Sequence, residues 1–428
     1  MTDIRGDGER RRLLDPLGIP DYRRLLIGNG LWWQAMWMEL LVVGWLVLEL
    51  TDSPWLVALV TFYRAVPLLI WGFVSGAVID RMGQRGIILI CQSITLAAYT
   101  CVGLLIWSGQ VAYWQLCLLS FVLGSAWAFD WPARRSYMPD LVGKTRTVDA
   151  MMLEAFVQMV SRILGPFSAG LLLDTFGASG CYAVLVVLSG VTLAILLGMS
   201  VPAAREDAPK AWTPIRDVME GFRYVRGNQA ILGTFLITLI MNNLAFPYMT
   251  LLPVFARDVL GQGPTGLGIL GAGNGIGSLF GLLIIKALRG KVSNGLIFTG
   301  GSALFAVTLF AFANSTLFEL SLALLIIAGI GQAAFGMMQS SIVLTNSSDE
   351  MRSRAMGCLV IAIGTGPAGR LQVGALAETF GAPMAVAVQA APCALVVLAL
   401  MVFMPGLRRV REPDPTEDGR EPFVSTGS

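Results

Sequence analysis

The 428-residue sequence contains no histidine. That absence excludes Ser-His-Asp and Cys-His nucleophile arrangements, histidine-based zinc helices and the side chain that most often changes charge near neutral pH. Any proton chemistry therefore falls to carboxylates. Charge is scarce as well: Asp, Glu, Lys and Arg make up 14% of the chain and the mean hydropathy is +0.69, whereas a soluble domain is about 25% charged. A soluble enzyme with one anchor is excluded. The six cysteines (Cys91, Cys101, Cys117, Cys181, Cys358 and Cys393) lie in apolar stretches without a Cys-x-x-Cys pair. They read as small membrane-core residues, not as a disulfide framework or metal site. No phosphate-binding Gly-x-x-x-x-Gly-Lys-Ser/Thr run and no metal-ligand spacing occurs. Enzymatic activity, a cofactor, a bound metal and a nucleic-acid partner are therefore not expected.

What the chain has in abundance is long apolar runs. Crossing a hydrocarbon layer of ~30 Å takes about 20 helical residues. Runs of that kind are predicted at Leu25–Leu50, Pro54–Ile79, Ile87–Trp107, Val111–Ala133, Met151–Leu173, Cys181–Val201, Ala230–Phe255, Thr265–Ile285, Leu296–Ala313, Leu317–Leu344, Met356–Ala377 and Pro383–Met404. The expected class is an all-α integral membrane protein with twelve transmembrane helices in two six-helix bundles. Bundles at 25–201 and 230–404 would be flanked by a basic N-terminal segment (1–24), a linker (202–229) and a polar, Pro-rich tail (405–428) expected to be disordered. In the linker, Thr213-Pro214 reads as a helix start, and Ile215, Val218, Met219, Phe222 and Val225 recur at helical spacing beside Arg216, Arg223 and Arg226. An amphipathic surface helix is predicted there.

Net charge is only +2, but its distribution is informative. Of the 30 Lys and Arg residues, 26 fall in segments on one side of the predicted topology, Arg257 alone on the other, and Arg64, Arg162 and Arg370 within spans. By the positive-inside rule both termini face the cytoplasm of a cell or bacterial inner membrane. The first 24 residues carry no short apolar region with a cleavage site, so no removable signal peptide is expected.

The two halves echo each other. Gly170-Leu-Leu-Leu-Asp174-Thr175-Phe176-Gly177-Ala178 aligns with Gly374-Ala-Leu-Ala-Glu378-Thr379-Phe380-Gly381-Ala382 at an offset of 204 residues. A parallel duplication of six-helix units places the substrate path between the halves near the midplane. Between spans two and three, Gly72-Phe-Val-Ser-Gly76-Ala-Val-Ile-Asp80-Arg81-Met82-Gly83-Gln84-Arg85-Gly86 combines small residues one turn apart with a charged turn. This run resembles the loop signature of the major facilitator superfamily, with Gln84 where that signature usually has a base. The equivalent second-half loop, Gly281 to Lys291, lacks the acid.

The order of features from about Asp21 to Pro405 further resembles the superfamily branch of the enterobactin exporter and macrolide-efflux-like proteins. It is carried by Arg64-Ala-Val-Pro67, by Pro132-Ala-Arg134-Arg135 through Pro139-Asp140, by Glu220-Gly-Phe-Arg223 and by Leu251-Leu-Pro253 through Arg257-Asp258. The resemblance implies proton-driven export of small, often amphipathic molecules by alternating access. It also implies that Gly76, Asp80, Arg81, Gly83 and Arg85 form an inner-gate latch. Arg162-Ile-Leu-Gly165-Pro166-Phe-Ser-Ala-Gly170 resembles the Gly-Pro motif of antiporters in the fifth helix; a plain packing kink is the alternative.

Ionisable groups within spans are functional candidates by default. Glu39, Arg64, Glu154, Arg162 and Arg370 are assigned to the substrate or proton path, and Asp130 with Arg134 to inner-gate bonding. Asn242, Asn243, Asn274, Gln332 and Gln339 supply neutral hydrogen-bonding groups in the second half. Withdrawing a carboxylate from water favours its protonated form, which makes Glu39 the first choice for proton coupling; a structural ion pair with Arg64 or Arg162 is the alternative. Glu154 and Arg162 lie two helical turns apart, too far to pair directly. The expected partners are a small-molecule substrate, protons and the lipid bilayer, with the chain a monomer. Rival readings are an uncoupled uniporter or importer, and a non-transporting membrane sensor or scaffold.

Overall fold

The computed structural model describes residues 13–199, 214–288, 290–348 and 350–410. The arginine cluster at residues 10–12, the start of the linker and the tail beyond residue 410 lie outside them. The described residues form helices and turns without a strand.

Eleven apolar helical segments are long enough to cross a membrane. The longest, Thr147–Leu197, has 51 residues, a length of about 77 Å that no bilayer of ~30 Å accommodates in one pass. It turns back at Gly177, whose φ of 64° and ψ of −173° interrupt the helix. Twelve crossings result. We label them α1 (Pro20–Thr51), α2 (Pro54–Met82), α3 (Gln84–Trp107), α4 (Tyr113–Val142), α5 (147–176) and α6 (178–197) in the first half. After the linker helix α7 (Pro214–Gly227), the second half comprises α8 (Gln229–Val259), α9 (Pro264–Leu288), α10 (Asn294–Ala313), α11 (Phe318–Thr345), α12 (Arg354–Phe380) and α13 (Ala382–Phe403).

Several helices outrun the apolar windows at the end that carries the basic loops. Helix α4 continues nine residues past Ala133 to Val142, taking Arg134 and Arg135 into the helix. Hydropathy marks the stretch that lies in hydrocarbon, whereas the backbone hydrogen-bond ladder continues until Gly143, at φ 77°, stops it. Three helix starts carry side-chain caps: Ser53 Oγ accepts from Leu56 N, Asn228 Oδ1 from Ala230 N and Ser293 Oγ from Leu296 N. Linker helix α7 docks on the start of α12 through the Arg354–Glu220 ion pair of 2.8 Å, with Phe222 edge-on to Phe235 of α8.

The duplicated sequence segments occupy equivalent places. Gly177 and Gly381 both take positive φ, 64° and 81°, at the turn after α5 and after α12. Asp174 accepts from Thr265 Oγ1 at the start of α9 (2.8 Å), and Glu378 accepts from Ser53 Oγ and Trp55 N at the start of α2 (2.8 and 3.0 Å). Each repeat carboxylate thus meets the N-terminus of a helix in the other half, where the helix dipole favours negative charge.

The halves touch most closely from the midplane to the end opposite the basic loops. Gly170 of α5 lies against Pro264 and Gly268 of α9, and Gly374 of α12 against Ala58 and Trp55 of α2. Small residues there let the backbones cross without intervening side chains. Arg257, at the end of α8, adds an ion pair of 2.8 Å to Asp52 at the end of α1. The path between the halves is closed at that end.

Candidate functional site

At the centre of the first half's interface, Glu39 of α1 is 1% exposed and faces Arg64 of α2, with Arg64 Nη2 3.5 Å from Glu39 Oε2. That separation gives an ion pair without a short hydrogen bond. Arg64 Nη1 and Glu39 Oε2 are buried without a hydrogen-bond partner among the described residues. Tyr99 of α3 and Tyr182 of α6, whose rings lie 6.3 Å apart edge to face, are within electrostatic reach of the Glu39 carboxylate.

Arg162 of α5 crosses to the second half. Its Nη2 donates to Asn274 Oδ1 of α9 and to Gln332 Oε1 of α11, both at 2.8 Å, and its guanidinium lies 5.3 Å above the Trp37 ring of α1. Gly165, one turn on, permits this approach: a side chain there would collide with Trp37. Pro166 lies against Gly268 and Gly271 of α9, so the Gly165-Pro166-Gly170 segment is a close crossing of α5 with both halves. Arg370 of α12 makes the reverse connection, its Nη1 donating to the Thr61 carbonyl of α2 at 2.8 Å, three residues from Arg64. Neither Arg162 nor Arg370 has a carboxylate partner among the described residues.

Two of the helices that frame this site are broken beside it. Helix α8 passes through π turns at Met241–Ala245 and Phe255–Val259 with a 3₁₀ stretch between them, where Pro247 and Pro253 each remove a backbone donor. Helix α12 is interrupted at Thr365, between Gly364 and Gly366-Pro367. The breaks meet: Asn243 Nδ2 donates to Thr365 Oγ1, and Gly369 abuts the Asn243 carbonyl. Asn242 Nδ2 donates to the Thr238 carbonyl, and Gln339 is tied to Thr238 Oγ1 inside the second half. Discontinuous helices of this kind expose backbone groups where irregular structure lines a polar path.

Towards the basic end, the first half contains a separate polar network. Arg134 donates to Asp130 Oδ1 (2.8 Å), Asn29 Oδ1 (2.8 Å) and Gln92 Oε1 (3.2 Å), above the Trp32 ring at 4.9 Å. Asn29 Nδ2 and Trp33 Nε1 donate to Glu154 at 2.7 and 3.1 Å, and Gln92 Nε2 donates to Ser189 Oγ at 2.8 Å. The network joins α1, α3, α4, α5 and α6. Asp130 and Arg134 thus bind helices of one half together, and Glu154 is held by α1 while Arg162 reaches α9 and α11. Between this network and Arg64 lies a cavity of about 20 Å³ bordered by Arg64, Thr95, Tyr99, Trp127 and Asp130, room for a single water. The neutral members Asn29, Gln92 and Ser189 were detectable only as polar residues in apolar runs.

In the loop between α2 and α3, Gly83 turns the chain at φ 77°. Gln84 donates to Asp140 Oδ2 at 3.0 Å and Arg85 to the Leu197 carbonyl at 3.0 Å, both within the first half. Gly76, Asp80 and Arg81 are exposed, and neither Asp80 nor Arg81 has a hydrogen bond or ion pair among the described residues.

Twelve crossings in two related halves, with an arginine-bearing polar path between them closed at one end, define a secondary transporter of the major facilitator type. The chain belongs to the family described as "Transmembrane secretion effector", whose profile matches residues 13–426. It is similar to the Staphyloferrin A transporter of Staphylococcus aureus (strain NCTC 8325 / PS 47), 24% identical over 363 residues that cover 83% of this chain and 88% of that protein. It is likewise similar to the Enterobactin exporter EntS of Citrobacter koseri, 24% identical over 377 residues and covering 86% and 88% of the two chains. The crystal structure of the nucleoside transporter NupG (D323A mutant) superposes with a TM-score of 0.71 at 16% identity over 89% of this chain and 99% of that one, a likeness of fold. The chain is thus a multi-pass membrane transporter of the superfamily, in the branch that its motifs resemble.

Proposed function

We propose that this transporter is a proton-coupled efflux carrier of the bacterial inner membrane, moving small amphipathic molecules of the drug or siderophore class by alternating access. The supporting observation is the Glu39–Arg64 pair: a buried carboxylate at 3.5 Å from an arginine that borders the path. Protonation of Glu39 removes one charge from that pair and frees Arg64, so proton and substrate bias the same element and can be exchanged. With the basic loops facing the cytoplasm, closure at the opposite end is the periplasmic seal, and the conformation is the one that loads from inside. The path lies within one chain, which supports a monomeric carrier. Efflux is also what the printed name of the Citrobacter relative describes.

The test is transport in proteoliposomes. A thermal-shift screen of drugs and siderophores first supplies a ligand, since specific binding stabilises by mass action. Accumulation of that ligand is then measured with and without an imposed pH gradient. Gradient-driven accumulation is expected for the wild type and none for Glu39→Gln. Unchanged driven transport in the variant removes Glu39 from the coupling role, and equal flux with and without the gradient identifies a uniporter.

A further inference from the structure

The central path has an excess of positive charge that the protein does not neutralise. Arg64, Arg162 and Arg370 lie along it, and among the described residues only Arg64 of the three faces a carboxylate, Glu39. Arg162 is held by amide oxygens of Asn274 and Gln332 and by the face of Trp37; Arg370 is held by a main-chain carbonyl. Two guanidinium charges are therefore balanced only by neutral dipoles. Arginine is kept in a membrane interior where a partner compensates it, and its planar fork is matched to oxyanions.

Unpartnered donors point the same way, and the one unpartnered acceptor beside them among the described residues, Glu39 Oε2, already faces Arg64. Among the described residues, Arg64 Nη1, Trp37 Nε1 and Asn274 Nδ2 are buried without an acceptor, and all three are N–H donors. Asn274 is 2% exposed, with its Oδ1 already fixed by Arg162. Buried donors without partners are costly and mark places where something else supplies the acceptor. A cationic amphiphile brings no compensating charge.

We propose that the central site is built for an organic oxyanion carrying about two negative charges, of the di- or polycarboxylate or phosphate type. Arg162 and Arg370, one from each half, supply the charge that it neutralises, with Asn274 and Trp37 as auxiliary donors beside Arg162. This rests on reading the central path as the substrate site, and it is independent of whether Glu39 carries the proton.

The experiment is equilibrium binding to the purified full-length protein in detergent without any gradient, read by thermal shift and by calorimetry. The probes are a citrate-type tricarboxylate, aryl dicarboxylates and an aryl phosphate, each beside its neutral ester, and tetraphenylphosphonium as a cation. The oxyanions are expected to raise Tm and their esters to have no effect; the carboxylate and phosphate arms tell the two oxyanion types apart. Arg162→Gln and Arg370→Gln should each weaken binding about tenfold or more, and Arg162→Lys less. Inorganic sulfate should compete in the wild type, a measurement that needs no variant to fold. The proposal is overturned if no oxyanion shifts Tm at millimolar concentration, if sulfate does not compete, or if the cation binds and Arg162→Gln leaves or improves its affinity. A carrier that is proton-coupled through Glu39 but binds only cations defeats this inference and leaves the preceding one standing.

Discussion

A single charge in hydrocarbon must find a partner, and the partner it finds decides its role. Arg134 is 2% exposed and has three side-chain acceptors, only one of them charged. Replacing it with Met leaves Asp130 buried without compensation, which costs about 3–5 kcal/mol. Denaturant or thermal unfolding of Arg134→Met in detergent should show a loss of that size, and the double variant Asp130→Asn, Arg134→Met should recover a large part of it. No recovery would mean that Asn29 and Gln92, more than Asp130, are what Arg134 holds. The sequence made the charged members visible, because ionisable residues in apolar runs are rare; it assigned Asp130 and Arg134 to inner-gate bonding, and the structure pairs them directly. The sequence did not reveal Asn29, Gln92 or Ser189 as their neighbours, since neutral polar residues occur in spanning helices at modest cost and their partners depend on which helices touch. The same limit applies to Arg162: its isolation from Glu154 followed from helix geometry, but its seat on Trp37, Asn274 and Gln332 follows only from the packing of α5 against α1, α9 and α11.

Helices were legible as crossings more readily than as shapes. Apolar runs and the offset of 204 residues located twelve crossings and a duplication, and the turn at Gly177 with its counterpart at Gly381 shows the repeat in the backbone. The breaks in α8 and α12 were less visible, because a hydropathy window averages over the Pro247, Pro253 and Pro367 sites that interrupt the hydrogen-bond ladder. Asp174 and Glu378 were legible only as matching repeat residues; their contacts give them a mechanical role at the opposite end. Each accepts hydrogen bonds from the start of a helix in the other half, and both are solvent-exposed, so each contributes about 0.5–1.5 kcal/mol. Asp174→Ala with Glu378→Ala, together about 1–3 kcal/mol, should therefore move the population towards separation of the halves at that end by about fivefold to a hundredfold. Spin labels at Ser179 and Gly263, across that end, should report a longer distance in the double variant. An unchanged distance distribution would show that the glycine crossings at Gly170 and Gly374 hold the closure alone.

For the whole molecule, the position of the exposed loop residues matters because the structure captures one side of a proposed cycle. With the opposite end closed, Asp80 and Arg81 lie in solvent without partners among the described residues, so neutralising Asp80 removes nothing from this conformation. In the alternate conformation the basic ends come together, and there the carboxylate gains partners such as a base or a helix N-terminus; a charge-assisted bond is worth about 1.5–3 kcal/mol. Asp80→Asn should then destabilise only the alternate state and shift the balance about tenfold or more towards the present one. Transport in proteoliposomes should fall accordingly, while ligand binding measured without a gradient remains at or above the wild-type level, because the binding-competent state is more populated. Loss of binding in a variant that folds normally would place Asp80 in the organisation of the site and not in the latch. Loss of transport with unchanged spin-label distances at both ends would remove it from the conformational equilibrium altogether.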